Sequence, residues 1–112
     1  MIEKTIKDYL SECLAPISVT MERPAELPDT YVLIEKTGSS LQNGVRTASI
    51  AIQSYGPSLY EAAALNEAVI EDMLKITTLD SVSACELDSD YNFTNTTTKQ
   101  YRYQAVFDVA YI

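Results

Sequence analysis

Histidine and tryptophan are absent from this chain, and glycine, proline and cysteine are scarce, at three, four and two residues. Without histidine there is no imidazole base, no histidine-containing triad and no histidine metal ligand. Cys13 and Cys85 cannot make a zinc site alone. They lie far apart among apolar positions, which gives no ground for a structural disulfide and favours buried free thiols. Gly56 is isolated, and no glycine-rich loop follows a strand, so nothing cradles a phosphate. Basic residues are also few, eight against sixteen acids, and the net charge of −8 is a poor footprint for reading nucleic acid or adhering to an anionic membrane. No apolar run approaches the roughly twenty residues of a membrane span. Charges interrupt the stretch Met1 to Asp8 where a secretory signal needs an apolar core, so the expected place of synthesis and residence is the cytoplasm.

What is present suits one globular domain. Apolar residues make up 46% of the 112 positions and charged residues 21%, a composition that supports a core and not a disordered tail. A chain of this length buries roughly two-thirds of its unfolded surface.

Ile2, Ile6, Tyr9, Leu10, Cys13 and Leu14 recur at steps of three and four, which predicts an N-terminal helix stopped by Pro16. A short β-prone run, Ser18 to Glu22, leads into an irregular connection from Arg23 to Asp29 carrying Pro24 and Pro28. Tyr31 to Lys36 and Val45 to Tyr55 read as antiparallel strands, the second alternating Ala48, Ile50 and Ile52 against Thr47, Ser49, Ala51 and Gln53. The intervening stretch, Gly38 to Gly44, reads as a projecting loop too long for a two-residue turn.

Ser58-Leu59-Tyr60-Glu61 matches a capping box, with the Ser58 hydroxyl accepting from the Glu61 amide and the Glu61 carboxylate reaching back to the Ser58 amide, worth about 1 kcal/mol. The helix that follows places Leu59, Ala62, Ala63, Val69, Ile70, Met73 and Leu74 inward and Glu61, Glu67, Glu71 and Asp72 elsewhere. Beyond Thr78, Val82, Ala84 and Glu86 alternate against Ser83, Cys85 and Leu87. The apolar pattern then lapses between Asp88 and Lys99, as at a polar hairpin tip. The return strand, Tyr101 to Tyr111, presents Tyr101, Tyr103, Ala105, Phe107, Val109 and Tyr111 on one face. The order α-β-β-β-α-β-β predicts an α+β fold, an antiparallel or mixed sheet packed by two helices, with no internal duplication.

Reactive constellations are not found. Glu67, Glu71 and Asp72 fall on the solvated side of their helix, where paired-carboxylate hydrolysis has no support. Asp88, Asp90 and Asn92 match positions one, three and five of a calcium loop, but Phe93 stands where the turn needs glycine and Lys99 where a bidentate glutamate belongs. Two glycosylation sequons begin at Asn92 and Asn95, and a chain without a secretion signal does not meet the modifying enzyme. Tyr101, Tyr103 and Tyr111 suit either stacking on a partner or an aromatic face packing on the helices, with the second preferred. No enzyme activity and no cofactor are expected, and no residue set marks a ligand pocket.

The segment Ser49-Ile50-Ala51-Ile52-Gln53-Ser54-Tyr55-Gly56-Pro57-Ser58-Leu59-Tyr60-Glu61-Ala62-Ala63 resembles the strand-to-helix passage of the tail terminator (tail completion) proteins of long-tailed bacteriophages and prophages. The stretch from Asp90 to Asp108 is similar to the last hairpin of that family. The resemblance implies a virion protein made in the bacterial host cytoplasm, which caps the tail tube, stops its polymerisation and joins tail to head. It implies a ring, usually a hexamer, with tail tube protein and a head-completion or connector protein as partners and genomic DNA passing through without sequence-specific binding. A closing ring needs heterologous contacts. The two loops supply candidates for them in Leu41, Gln42, Asn43, Tyr91, Phe93 and Lys99. Six copies would carry roughly −48, and acids lining a bore would keep DNA from sticking. The alternatives are a neighbouring head-tail joining or minor capsid protein, and a small α+β ligand-binding or regulatory dimer.

Overall fold

The computed structural model describes residues 1–26 and 28–112; Leu27, within the expected irregular connection, lies outside the described residues. Helix α1 (Ile2–Cys13) is followed by strands β1 (Ser18–Thr20), β2 (Tyr31–Gln42) and β3 (Val45–Gly56), helix α2 (Leu59–Met73), a single 3-10 turn (Ile76–Thr78), and strands β4 (Val82–Asn92) and β5 (Tyr101–Tyr111). The five strands form one sheet in the order β1-β2-β3-β5-β4. Only β1 with β2 is parallel; every other neighbour is antiparallel. The fold is α+β with a mixed sheet and two helices, in the order the hydrophobic pattern predicts. No helix among the described residues is long and apolar enough to cross a membrane.

Both helices cover one face of the sheet. Ile2, Ile6 and Leu10 of α1 and Leu65, Val69 and Met73 of α2 join Val32, Ile34, Ala48, Ile50, Ile52, Ala105, Phe107 and Val109 in one buried cluster. Each large side chain fully buried there stabilises by roughly 1.5–3 kcal/mol. The Tyr9 hydroxyl ties the helices together by donating to the Asp72 carbonyl at 2.6 Å.

Helix α2 departs from the expected stripe. Its buried line is Ala62, Leu65, Asn66, Val69 and Met73, while Leu59 and Leu74 are exposed. Those two sit at the helix ends, off the arc that reaches the sheet. Ser58 Oγ accepts from the Glu61 amide at 3.2 Å as expected, but the reciprocal bond runs from the Ser58 hydroxyl to Glu61 Oε2 at 2.9 Å, not from the Ser58 amide.

The stretch Gly38 to Gly44 is not a long loop. Strand β2 continues through Gln42, and Asn43 and Gly44 alone make the turn, with φ of 53° and 79°. Positive φ at both central residues is the primed hairpin geometry that matches strand twist. A register shift between Lys36 and Gly38, together with short polar side chains, hid the alternation. The turn does project, and β2 is exposed from Glu35 to its tip.

Strand β4 has two register shifts, between Val82 and Ala84 and between Leu87 and Ser89. The first places Val82 and Cys85 on the helix-covered face and turns Ala84 and Glu86 outward, so the simple alternation expected there fails. The strand runs on to Asn92, which puts Asp88, Asp90 and Asn92 on an extended backbone that cannot wrap an ion. Both cysteines are free, but Cys13 is exposed and Cys85 only half-buried, because Cys13 lies at the end of α1, beyond its buried side.

Candidate functional site

Strand pairing decides where the expected contact residues sit. Leu41 faces Arg46, and Arg46 faces Tyr111 at the end of β5. At the other end of β3, Gly56 faces Tyr101, where β5 begins. Leu41, Gln42 and Asn43 therefore lie at one end of the sheet, and Tyr91, Phe93 and Lys99 toward the other. The twelve residues of β3 span about 36 Å at a rise of about 3.3 Å each. The molecule measures 44 × 25 × 25 Å, so the two groups form two separate surfaces at opposite ends of its long axis.

At the first end, Leu41 is 66% exposed beside Arg46 on one face of the hairpin, and Val45 is half-exposed beside Gln42 on the other. At the second, Tyr91 and Phe93 meet edge to face, with ring centroids 5.9 Å apart. The Arg102 guanidinium lies 4.4 Å over the Phe93 ring. The tip between Asn95 and Gln100 is a compact built turn. Asn95 and Gln100 exchange backbone hydrogen bonds, and Asn95 Oδ1 accepts from the amides of Thr97 and Thr98. Lys99 takes a left-handed φ of 55° at this turn.

The helix-free face of the sheet holds a polar network at this second end. Arg102 Nε donates to the Phe93 carbonyl at 2.7 Å, and Nη1 donates to the Tyr55 hydroxyl at 3.0 Å. Tyr55 in turn donates to Gln53 Oε1 at 2.7 Å, and Gln53 Nε2 donates to Gln104 Oε1 at 2.9 Å. Gln104 Nε2 completes the chain at the Tyr91 hydroxyl. Tyr31 stacks on Tyr55 at 4.2 Å and 8°. Burial, with Tyr55 alongside, pushes the Tyr31 phenol up to about 12, which keeps it a neutral donor.

Beside this network lies an open cleft of about 490 Å³, bounded by the β1–β2 connection and the tip of the β4–β5 hairpin. Such a cleft was not expected from the residues. Of the six expected contact residues, only Lys99 lines it. Tyr31, Gln53, Tyr55, Arg102 and Gln104 were not singled out by sequence reasoning. The available signal was the run of polar and aromatic residues at Gln53 and Tyr55, on the alternation opposite Ile50 and Ile52. Seeing it required the β3–β5 register.

The remaining surface is acidic without being organised. Among the described residues no group of three or more acids and cysteines is arranged to hold a metal ion. Glu86 and Asp108 face each other directly across β4 and β5 on the helix-free side, where Glu35 is also exposed. The molecule belongs structurally to the two-layer α+β folds, with one sheet face covered by helices and one free of them. No protein-family model matches the chain, and no curated protein matches it.

Proposed function

We propose that this protein is a structural subunit that caps a phage tail tube, halts its polymerisation and forms a closed ring between tail and head. The reading rests on the resemblance of the Ser49 to Ala63 and Asp90 to Asp108 segments to the terminator family. The observation that carries it is the separation of the two contact groups to opposite ends of β3. A ring is built from heterologous contacts, in which one surface of a subunit meets a different surface of the next. The hairpin tip carrying the exposed Leu41 and the Tyr91, Phe93 and Arg102 end are two such unlike surfaces. An exposed leucine against an aromatic end is a chemically matched contact.

The acidic helix-free face supports the same reading, since Glu35, Glu86 and Asp108 repel a phosphate backbone and favour passage over adhesion. Tube protein and a head-completion protein are the partners this function requires. A head-tail joining role uses the same ring and differs in which neighbour it contacts.

Purified protein mixed with polymerising tail tube protein tests the proposal. Tubes of finite length ending in annular caps are expected. Leu41→Asp and Phe93→Asp each should abolish the caps while leaving the monomer folded by circular dichroism. Tubes that lengthen without limit, or a persistent dimer with no annular particles in the presence of tube protein, would overturn it.

A further inference from the structure

The cleft at the β5 end differs from the rest of the molecule in charge. Arg23 stands on one wall and Lys99 on the other, with Asp29 the only acid lining it among the described residues, in a chain with twice as many acids as bases. Arg102 lies behind the same end, already committed to Phe93 and Tyr55. Pro57 and Tyr101 give the cleft apolar wall. Tyr31 also lines it, is 2% exposed, and carries a hydroxyl with no hydrogen-bond partner among the described residues. Its stacking neighbour Tyr55, by contrast, uses its hydroxyl both to donate and to accept. A buried neutral phenol without an acceptor is stabilised by an oxygen brought to it, and since the Tyr31 hydroxyl is closed to solvent, a ligand oxygen reaches it only with a local shift of the cleft wall.

We propose that this cleft binds a peptide carboxylate carried on an apolar residue, with the carboxylate between Arg23 and Lys99 and the apolar side chain against Pro57 and Tyr101. Two flexible cations opposed by Asp29 favour one negative charge over the two of a phosphate. A volume of about 490 Å³ falls in the range of ligand-sized clefts. Its open side lets a chain continue outward. The inference stands apart from tube capping, because neither its ligand nor its readout involves a tube.

Amide chemical shifts of the full chain, titrated with N-acetyl-leucine, N-acetyl-leucinamide, inorganic phosphate and a tetrapeptide ending in a free leucine carboxylate, test it. Saturable shifts at Tyr31, Gln100 and Tyr101 are expected with the acid and the tetrapeptide, the tetrapeptide binding at least as tightly. None are expected with the neutral amide. Lys99→Gln, at an exposed turn, should weaken binding about tenfold, the loss of one charged contact. Tyr31→Phe should weaken it several-fold while the shifts of Val69 and Phe107 report an intact core. Phosphate binding as tightly as the acid, the neutral amide binding as well, the small acid outcompeting the tetrapeptide, or no saturable shift would each overturn the proposal.

Discussion

The backbone of Gly56 lies against the first turn of α2 so closely that a methyl group built on it would stand 2.7 Å from the amide nitrogen of Ala62. The obstructing atoms are helix backbone, which cannot rotate away. This contact sets how near the capped helix sits to β3, and it explains why an isolated glycine stands at the end of that strand.

Gly56→Ala should therefore destabilise the fold by about 1–3 kcal/mol, the usual cost of overpacking. Chemical denaturation should show a lower midpoint with an unchanged slope. Gly38→Ala is the control, since nothing lies within 4 Å of a methyl group there. Its effect should stay within about 0.5 kcal/mol.

The hairpin tip makes a second case. Gly44 has a φ of 79°, a conformation that costs an ordinary residue about 1–2 kcal/mol. Gly44→Val should lower the thermal midpoint and speed amide exchange along Ser39 to Thr47. Asn43→Gly, which tolerates the same region, should change neither by much.

Alkaline pH should weaken the protein in a defined window. Burial, with Cys13 beside it, pushes Tyr9 up to about 12. Tyr31 is likewise raised to about 12, and burial raises Cys85 to about 11 from its ordinary value of 9.0. Each folded pKa lies above its unfolded value, so the folded state holds these protons longer. Their stabilising contribution is complete below about pH 9. It is lost as pH rises, first through Cys85 between 9 and 11 and then through the tyrosines between about 10 and 12. Unfolding free energy measured from pH 8 to 12 should fall along that course. Tyr9→Phe should flatten the later part while removing the bond to the Asp72 carbonyl, at a neutral-pH cost of about 0.5–1.5 kcal/mol.

Glu86 and Asp108 occupy directly opposed positions on β4 and β5, both exposed. Like charges so placed are destabilising. Asp108→Lys should raise stability by about 0.2–1 kcal/mol, with the gain shrinking as salt screens the pair.

Several elements were legible because their signals are local. The three-and-four spacing of Ile2, Ile6 and Leu10 gave α1, and Ser58 with Glu61 marked the start of α2. The strict alternation of Ala48, Ile50 and Ile52, and of Ala105, Phe107 and Val109, gave β3 and β5. The turn at Asn43 and Gly44 was misread because a strand with a register shift and small polar residues loses its period of two. The shifts in β4 moved Ala84 and Glu86 to the other face for the same reason. Cys13 fits the apolar spacing of α1, yet only the packed helix shows that its position reaches solvent.

The amino-acid order by itself determined the elements, their sequence along the chain and the buried faces of α1, β3 and β5, since capping, periodicity and turn chemistry act over a few residues. Tertiary structure alone decided that Arg23, Tyr31 and Lys99 line one cleft, that Tyr55 links Arg102 to Gln53, and that the two hairpin tips point away from each other. Those placements depend on strand register, which is fixed by burying Ile50 and Phe107 opposite one another and not by any signal within either segment.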